Sequence, residues 1–458
     1  MAKKKLVLIN PRGKFRMGFV IDKESRYPPL GLAIIASLTP DEWEVKLLDE
    51  NFTDFEYEDA DLVGITSFTS TITRAYEIAE IYKNVNTPVI LGGIHASMVP
   101  DEAEKFSDSV VIGEVESVWD AILSDFEKGT LKKRYQGELI SLDKIPIARH
   151  DLFHEDYHYD SIQTTRGCPM RCDFCSVHVF NGRSYRMRPV KDVLDELELI
   201  KSKRIIFVDD NIVGYNTKAR DHAKAIFRGM IERNMNKSFF CQASINIGDD
   251  EELIELAAQA GCRMVFIGIE SESIEALEKM NKRSNLKMGV DNYEKVFEII
   301  RKHGISVLAA FIFGLETDKP VDLEKRMDYI LNANIDAMQT SILTPLPGTL
   351  LYDQLAKENR IIANNYPEDW EKYWGGETLF EPKNMSAEYL EEFKFKMVEK
   401  VYGYKRLLTM FMTTLKKTKN KESSVWAFSS NTHYNNMMYQ NDESKQIKVD
   451  KMIKSIKG

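Results

Sequence analysis

The chain has 458 residues and a mass of 52.8 kDa, roughly three times the ~150-residue domain prior, so a single small module is excluded and two or three domains are expected. Apolar residues at 43% and charged residues at 29%, with 24 Gly and 14 Pro, are ordinary globular usage and exclude a disordered or fibrous chain. A formal charge of −9 and a pI near 5.6, with no basic stripe in the first 400 residues, argue against nucleic acid as a partner.

From the amino end, apolar β-rich runs at 5–10, 44–49, 62–67, 88–93 and 110–113 alternate with helix-like stretches at 30–38 and 73–83. That cadence predicts a doubly wound, Rossmann-like α/β domain over residues 1–135. Ligands of such sheets sit beyond the carboxyl ends of the strands, where Asn10 and Pro11, Asp49 and Glu50, Thr66 and Ser67, Gly92 and Gly93, and Gly113 and Glu114 fall. Residues 136–158 show no period and read as a connector. A second βα series over 159–352 has strands at 161–165, 204–209, 238–244, 264–270, 307–314 and 337–343, which predicts a partial (β/α)6 barrel of the TIM type. Residues 353–458 read as a mostly helical region, with Trp370, Tyr373 and Trp374 first and a charged helix from about 386 to 415. The last ~40 residues, rich in Lys, Asn and Ser and with five Lys from Lys445 onward, read as a mobile tail. The longest apolar stretches, such as 307–315, fall short of the ~18 to 20 residues of a membrane span, and the Lys-rich start lacks a signal peptide's apolar core. A cytoplasmic protein without a membrane span is expected.

Five cysteines, three of them inside eight positions, do not form a disulfide framework and point to metal or redox chemistry. Cys168, Cys172 and Cys175 follow the first barrel strand, at the end of the barrel where chemistry is placed. Three thiolates spaced C-x3-C-x2-C each reach one iron of a 4Fe-4S cubane and leave one iron open. The alternative is a tetrahedral zinc ion with His178 as fourth ligand. Cys241 and Cys262 lie on strands and read as core thiols, so no auxiliary cluster is expected.

With this loop the sequence resembles the radical S-adenosylmethionine superfamily. The resemblance implies that Cys168, Cys172 and Cys175 are the catalytic and metal-binding residues and that the open iron takes the amine and carboxylate of S-adenosylmethionine. It further implies that Asp209 or Asp210 holds the methionine amine, that Glu270 meets the ribose or polar face, and that Gly314 lets backbone approach the adenine. The segment 344–349 resembles the sixth-strand loop of one branch.

The amino-terminal motifs, Pro28-Pro29-Leu30-Gly31-Leu32 among them, resemble the cobalamin-binding domain that precedes the barrel in one large subgroup. The resemblance puts Asn10, Pro11, Ser67, Thr69, Gly92, Gly93, His95, Gly113 and Glu114 at the cofactor. The Asp-x-His-x-x-Gly motif that supplies a lower axial histidine elsewhere is absent, since Asn10-Pro11-Arg12-Gly13-Lys14 stand after the first strand, so cobalt without a histidine beneath it is expected.

The implied activity is a cobalamin-dependent radical S-adenosylmethionine methyltransferase. It would reductively cleave S-adenosylmethionine, remove hydrogen from an unactivated carbon and methylate that carbon from methylcobalamin. A radical oxidase or cyclase with the same cofactors and no methyl transfer is the alternative. A corrinoid carrier with a structural metal site is a reading from another class. The expected partners are an external electron donor such as flavodoxin or ferredoxin, and a substrate that is either a peptide or protein side chain or an apolar small molecule. Tyr185, Arg186 and Arg188 are candidates to line a cleft between the two sheets, whose carboxyl ends are expected to face each other.

Overall fold

In this computed structural model, residues 3–13 and 26–438 are described. Six short parallel strands form the first sheet: β1 (Lys4–Asn10), β2 (Trp43–Asp49), β3 (Leu62–Thr66), β4 (Val89–Gly92), β5 (Ser109–Ile112) and β6 (Arg134–Gln136), in the order β2-β1-β3-β4-β5-β6. The order is the flavodoxin-like one with a strand added. Alternation along β1 shows why helices cover both faces. Leu6 and Leu8 pack with α1 (Leu30–Leu38) and α5 (Trp119–Glu127), whereas Val7 and Ile9 pack with α2 (Ile72–Asn84), α3 (Ile94–Met98) and α4 (Pro100–Phe106). Strand β6 was not anticipated, because in its three residues only Tyr135 is buried and no run signals it.

The second sheet has six parallel strands, β7 (Asp160–Ile162), β10 (Arg204–Phe207), β11 (Ser238–Ala243), β12 (Cys262–Glu270), β13 (Ser306–Phe313) and β14 (Ala337–Ile342). Its spatial order follows the chain, β7-β10-β11-β12-β13-β14, which makes it a partial (β/α)6 barrel. The outer face is covered by α6 (Val190–Leu199), α7 (Thr217–Glu232), α8 (Glu251–Ala260), α9 (Tyr293–Lys302) and α10 (Pro320–Asn332). The strand expected at 161–165 is split. After β7 comes a two-residue β8 (Thr165–Arg166), which pairs antiparallel with β9 (Arg186–Met187) to form a small ribbon that brackets the cysteine loop.

The carboxy-terminal region corrects the sequence reading twice. The helix expected over 386–415 is two helices, α11 (Ala387–Tyr402) and α12 (Tyr404–Thr418), because Gly403 is extended at φ −61°, ψ 140°. The presumed tail begins instead as α13 (Lys421–Met438), which seals the inner face of the barrel. Its Trp426 and Ala427 fill the space among Ile206, Phe240, Met264, Leu308 and Ala337. The lysines from Lys445 onward lie outside the described residues. No helix among the described residues is long and apolar enough to cross a membrane.

Candidate functional site

The cysteine loop is held by short backbone bonds and by glycine. Gly167 has φ +90°, and a Cβ there would collide with the Ser184 carbonyl. The Cys168 N–H donates to the Gly182 carbonyl at 3.1 Å, and the Asp173 N–H donates to the Met280 carbonyl at 3.2 Å. Asn281 Nδ2 donates to the Arg171 carbonyl at 2.7 Å, so the loop is strapped to the segment beyond β12. Cys172 is buried and Cys168 and Cys175 half-buried, all three as free thiols. Burial pushes each thiol up, Cys175 to about 12, while the Lys282 ammonium pulls each down. Among the described residues no three His, Cys, Asp or Glu side chains converge as ligands of one ion. Three soft sulfur donors on one glycine-hinged loop suit a cubane, in which each thiolate takes a separate iron.

Around the thiols stand the Glu270–Lys282 ion pair and the carboxylates Asp209 and Asp210. Glu270, the last residue of β12, has φ +61° where the register with β13 slips, a conformation that costs a non-glycine residue on the order of 1–3 kcal/mol and re-aims its side chain. Its Oε1 lies 2.6 Å from Lys282 Nζ. Burial opposes the lysine's charge, but Glu270 and Cys172 more than offset it and hold the ammonium charged. The sequence reading missed Lys282. Asp209 is fully buried and accepts the Thr164 N–H and the hydroxyls of Thr164 and Thr165, so it pins the exit of β7 to β10. Asp210 is the carboxylate left open. Among the described residues it takes Asn181 Nδ2 at 3.1 Å, and burial pushes it up to about 6. Gly314, with φ +80°, faces Leu390 of α11, whose side chain a Cβ would strike. Its freedom from a side chain therefore serves helix packing.

At the other sheet, the carboxyl ends form a crevice of small residues. Ser67 donates its N–H to the Gly92 carbonyl at 3.2 Å, and Thr69, buried, opens the turn that follows. Gly93 has φ +93°, and its Cβ would lie 2.7 Å from the Ser67 carbonyl oxygen. A Cβ on Gly92 would meet nothing closer than 4.0 Å, so this turn is a cradle that side chains leave open. Asn10 Nδ2 donates to Asp49 at 2.8 Å beside buried Pro11, and Tyr157 of the connector donates to the same carboxylate. Gly113, φ +81°, turns the chain so that Glu114 points at the barrel, where it pairs with Arg186 at 2.6 Å. His95 donates its N–H to the Ser67 carbonyl at the crevice turn at 3.4 Å, while its side chain turns into the core. Its ring is fully buried, edge-on to Trp370 at 5.0 Å and 3.6 Å from Glu102, and burial lowers its pKa more than Glu102 raises it.

The side chains after the cysteine loop are fastened too. Tyr185 donates to the Asn211 carbonyl at 2.7 Å, and Arg188 pairs with Glu196 at 2.5 Å. Trp370 and Tyr373 join the core of the first domain, and Trp370 Nε1 donates to Glu102 at 3.1 Å, so neither forms an open substrate wall. The carboxyl end of β5 faces that of β7, since Glu114 just beyond β5 pairs with Arg186 on the ribbon that follows β7, and Asp49 at the end of β2 accepts from Tyr157 of the connector. Val208 packs against both the inner barrel and Leu30, Ala33 and Ile34 of α1.

Two family descriptions match the chain: the radical SAM superfamily over residues 162–330 and the B12 binding domain over residues 18–123. The chain is 31% identical over 417 residues to the bacteriochlorophyllide d C-12(1)-methyltransferase of Chlorobaculum tepidum, covering 88% of each chain. To the hopanoid C-2 methylase of Rhodopseudomonas palustris it is 29% identical over 354 residues, covering 74% of this chain and 66% of that one. The fold resembles that of the cobalamin-dependent S-adenosylmethionine radical enzyme OxsB with aqua-cobalamin and S-adenosylmethionine bound. That match has a TM-score of 0.70 and 16% identity, over 98% of this chain and 75% of that one.

Proposed function

The chain belongs to the cobalamin-binding methyltransferase family of the radical S-adenosylmethionine superfamily, and on that premise we propose that it methylates an unactivated carbon of an apolar small molecule. When bound, the 4Fe-4S cluster, S-adenosylmethionine and cobalamin supply the one-electron and methyl-transfer chemistry. The residues of the chain bind, orient and enclose. Cys168, Cys172 and Cys175 would hold the cluster, Asp210 would accept from the methionine amine, and the Lys282 ammonium would meet the methionine carboxylate. The small residues Ser67, Gly92, Gly93 and Gly113 would let the corrin and its tail pass close to backbone.

The observation that carries the substrate class is the inner wall of the barrel. Above the seal made by α13, and short of Asp210 and Glu270 at the strand ends, the inward positions include Val208, Gln242, Phe266 and Gln339, half-buried and uncharged, with Tyr434 donating to Gln339 at 2.6 Å. A charged peptide side chain would find no counter-ion among these four side chains and would lose its water. The relatives are named for a bacteriochlorophyllide and a hopanoid, and these are the first compounds to test. Anaerobic turnover with reductant and either compound should yield methylated product, with 5′-deoxyadenosine and S-adenosylhomocysteine in equal amounts. 5′-Deoxyadenosine without S-adenosylhomocysteine would assign the oxidase or cyclase reading. Methylation of peptides alone would overturn the substrate class.

A further inference from the structure

Resting on the two-cofactor reading, we infer that Glu114, Glu116, Arg166 and Arg186 form a clamp that fixes the cobalamin crevice against the cluster loop, and that these are positioning residues for methyl transfer. Arg166 and Arg186 are cross-strand neighbours on β8 and β9, the ribbon that brackets the cysteine loop. Both guanidiniums turn toward the first domain. Arg186 grips Glu114 with both forks, Nη2 to Oε1 at 2.6 Å and Nη1 to Oε2 at 2.8 Å. Arg166 reaches Glu116 at 2.7 Å and Glu114 at 3.5 Å. Two like charges side by side need two carboxylates, and β5 delivers both from one turn. All four side chains are nearly out of water, with exposures of 13% or less. At such a site ionic geometry is enforced rather than screened.

The clamp is continuous with both cofactor sites. On one side, the Gly113 N–H donates to Ser97 Oγ at 3.0 Å, and that hydroxyl donates to the Gly93 carbonyl at 2.8 Å in the crevice turn. On the other, Arg186 donates to the Asn181 carbonyl at 3.0 Å, Asn181 donates to Asp210 at 3.1 Å, and the neighbouring Gly182 carbonyl accepts from Cys168 N–H at 3.1 Å. The connector is threaded through as well, since Ile140 donates its N–H to Glu114 at 2.9 Å and offers its carbonyl to Arg186 at 2.6 Å. Gly137 allows the approach, because a Cβ there would collide with the Glu114 carbonyl. A hydrogen-bonded path thus runs from Gly93 to Cys168. A reaction that passes a substrate carbon between two cofactors on separate domains needs such a fixed separation.

The test is a pulsed electron paramagnetic resonance distance between the reduced cluster and cob(II)alamin in the holoenzyme, with iron and cobalt content measured on the same samples. The parent should give one narrow distribution, and Glu127→Gln, which breaks the exposed Lys4–Glu127 pair, should match it. Glu114→Gln should broaden the distribution and move its mean by about 1 Å or more, a displacement that costs aligned chemistry about 10²-fold. Should that variant fail to fold, Arg186→Lys keeps the charge, loses the fork and should broaden the distribution as well. Variants with parental cofactor content and parental separation overturn the clamp. A parent without iron or cobalt overturns the cofactor reading, and the clamp with it.

Discussion

His150 shows how a single side chain can tie the connector to the barrel. Its Nδ1 faces Asp160 at 2.8 Å and its Nε2 faces Glu196 at 2.9 Å, and Glu196 is also held by Arg188. Burial alone would lower the imidazole, but the two carboxylates raise it to about 9. The folded pKa is above the unfolded value near 6.5, so this stabilisation is present in full below about pH 6.5 and is lost as pH rises through about 9. Denaturant titrations across that window should show His150→Gln less stable by about 2 kcal/mol at the acid end and converging with the parent at the alkaline end. Lys282→Met should retain iron while weakening S-adenosylmethionine binding about 10- to 100-fold by calorimetry, the worth of a charged hydrogen bond. The cysteine spacing was plain in the sequence, but Lys282 was not, since a lysine in a charged stretch reads as a solvated one. The choice between Asp209 and Asp210 was open to parity. Ile205 and Phe207 face the helices and Ile206 faces the barrel interior, so Asp209 continues the outer set and Asp210 the inner.

Among the elements, α13 differs most from its sequence. Its buried positions include Ser423, Ser424, Asn431, Thr432 and Asn435, which composition files under loop. Asn431 is satisfied at β14, donating to the Asp336 carbonyl at 3.0 Å and accepting the Met338 N–H at 3.1 Å. Asn435 donates to the Tyr402 carbonyl of α11 at 2.8 Å, Ser423 donates to the Gly304 carbonyl at 2.7 Å, and Ser424 and Thr432 donate to the nearby Asn420 and Ser429 carbonyls. Only tertiary contact makes that helix, whereas the strongly apolar β13, buried at all eight positions, was legible from its residues. Trp426→Ala should cost about 3–5 kcal/mol in urea unfolding, as for other large aromatic deletions from a core. A stop codon after Lys419 should expose the apolar inner face and bind an environment-sensitive apolar dye.

Across the whole molecule, the two α/β units were legible because buried parallel strands alternate with helices at regular spacing. How they share a core was not. Ala363, Trp370, Tyr373 and Leu379 from beyond the barrel complete the apolar face over α2 of the first domain, a contact between segments about 300 residues apart that no local pattern announces. Residues 1–135 expressed alone should therefore melt well below the full chain. The central claim is that three cysteines hold a four-iron cluster opposite a cobalamin crevice. Iron, sulfide and cobalt content of the anaerobically reconstituted chain and of Cys172→Ala tests it most directly. The expected result is about four irons and about one cobalt per chain, with iron lost and cobalt kept in the variant. Iron retained by Cys172→Ala, or a parent with a single zinc and no sulfide, would contradict it.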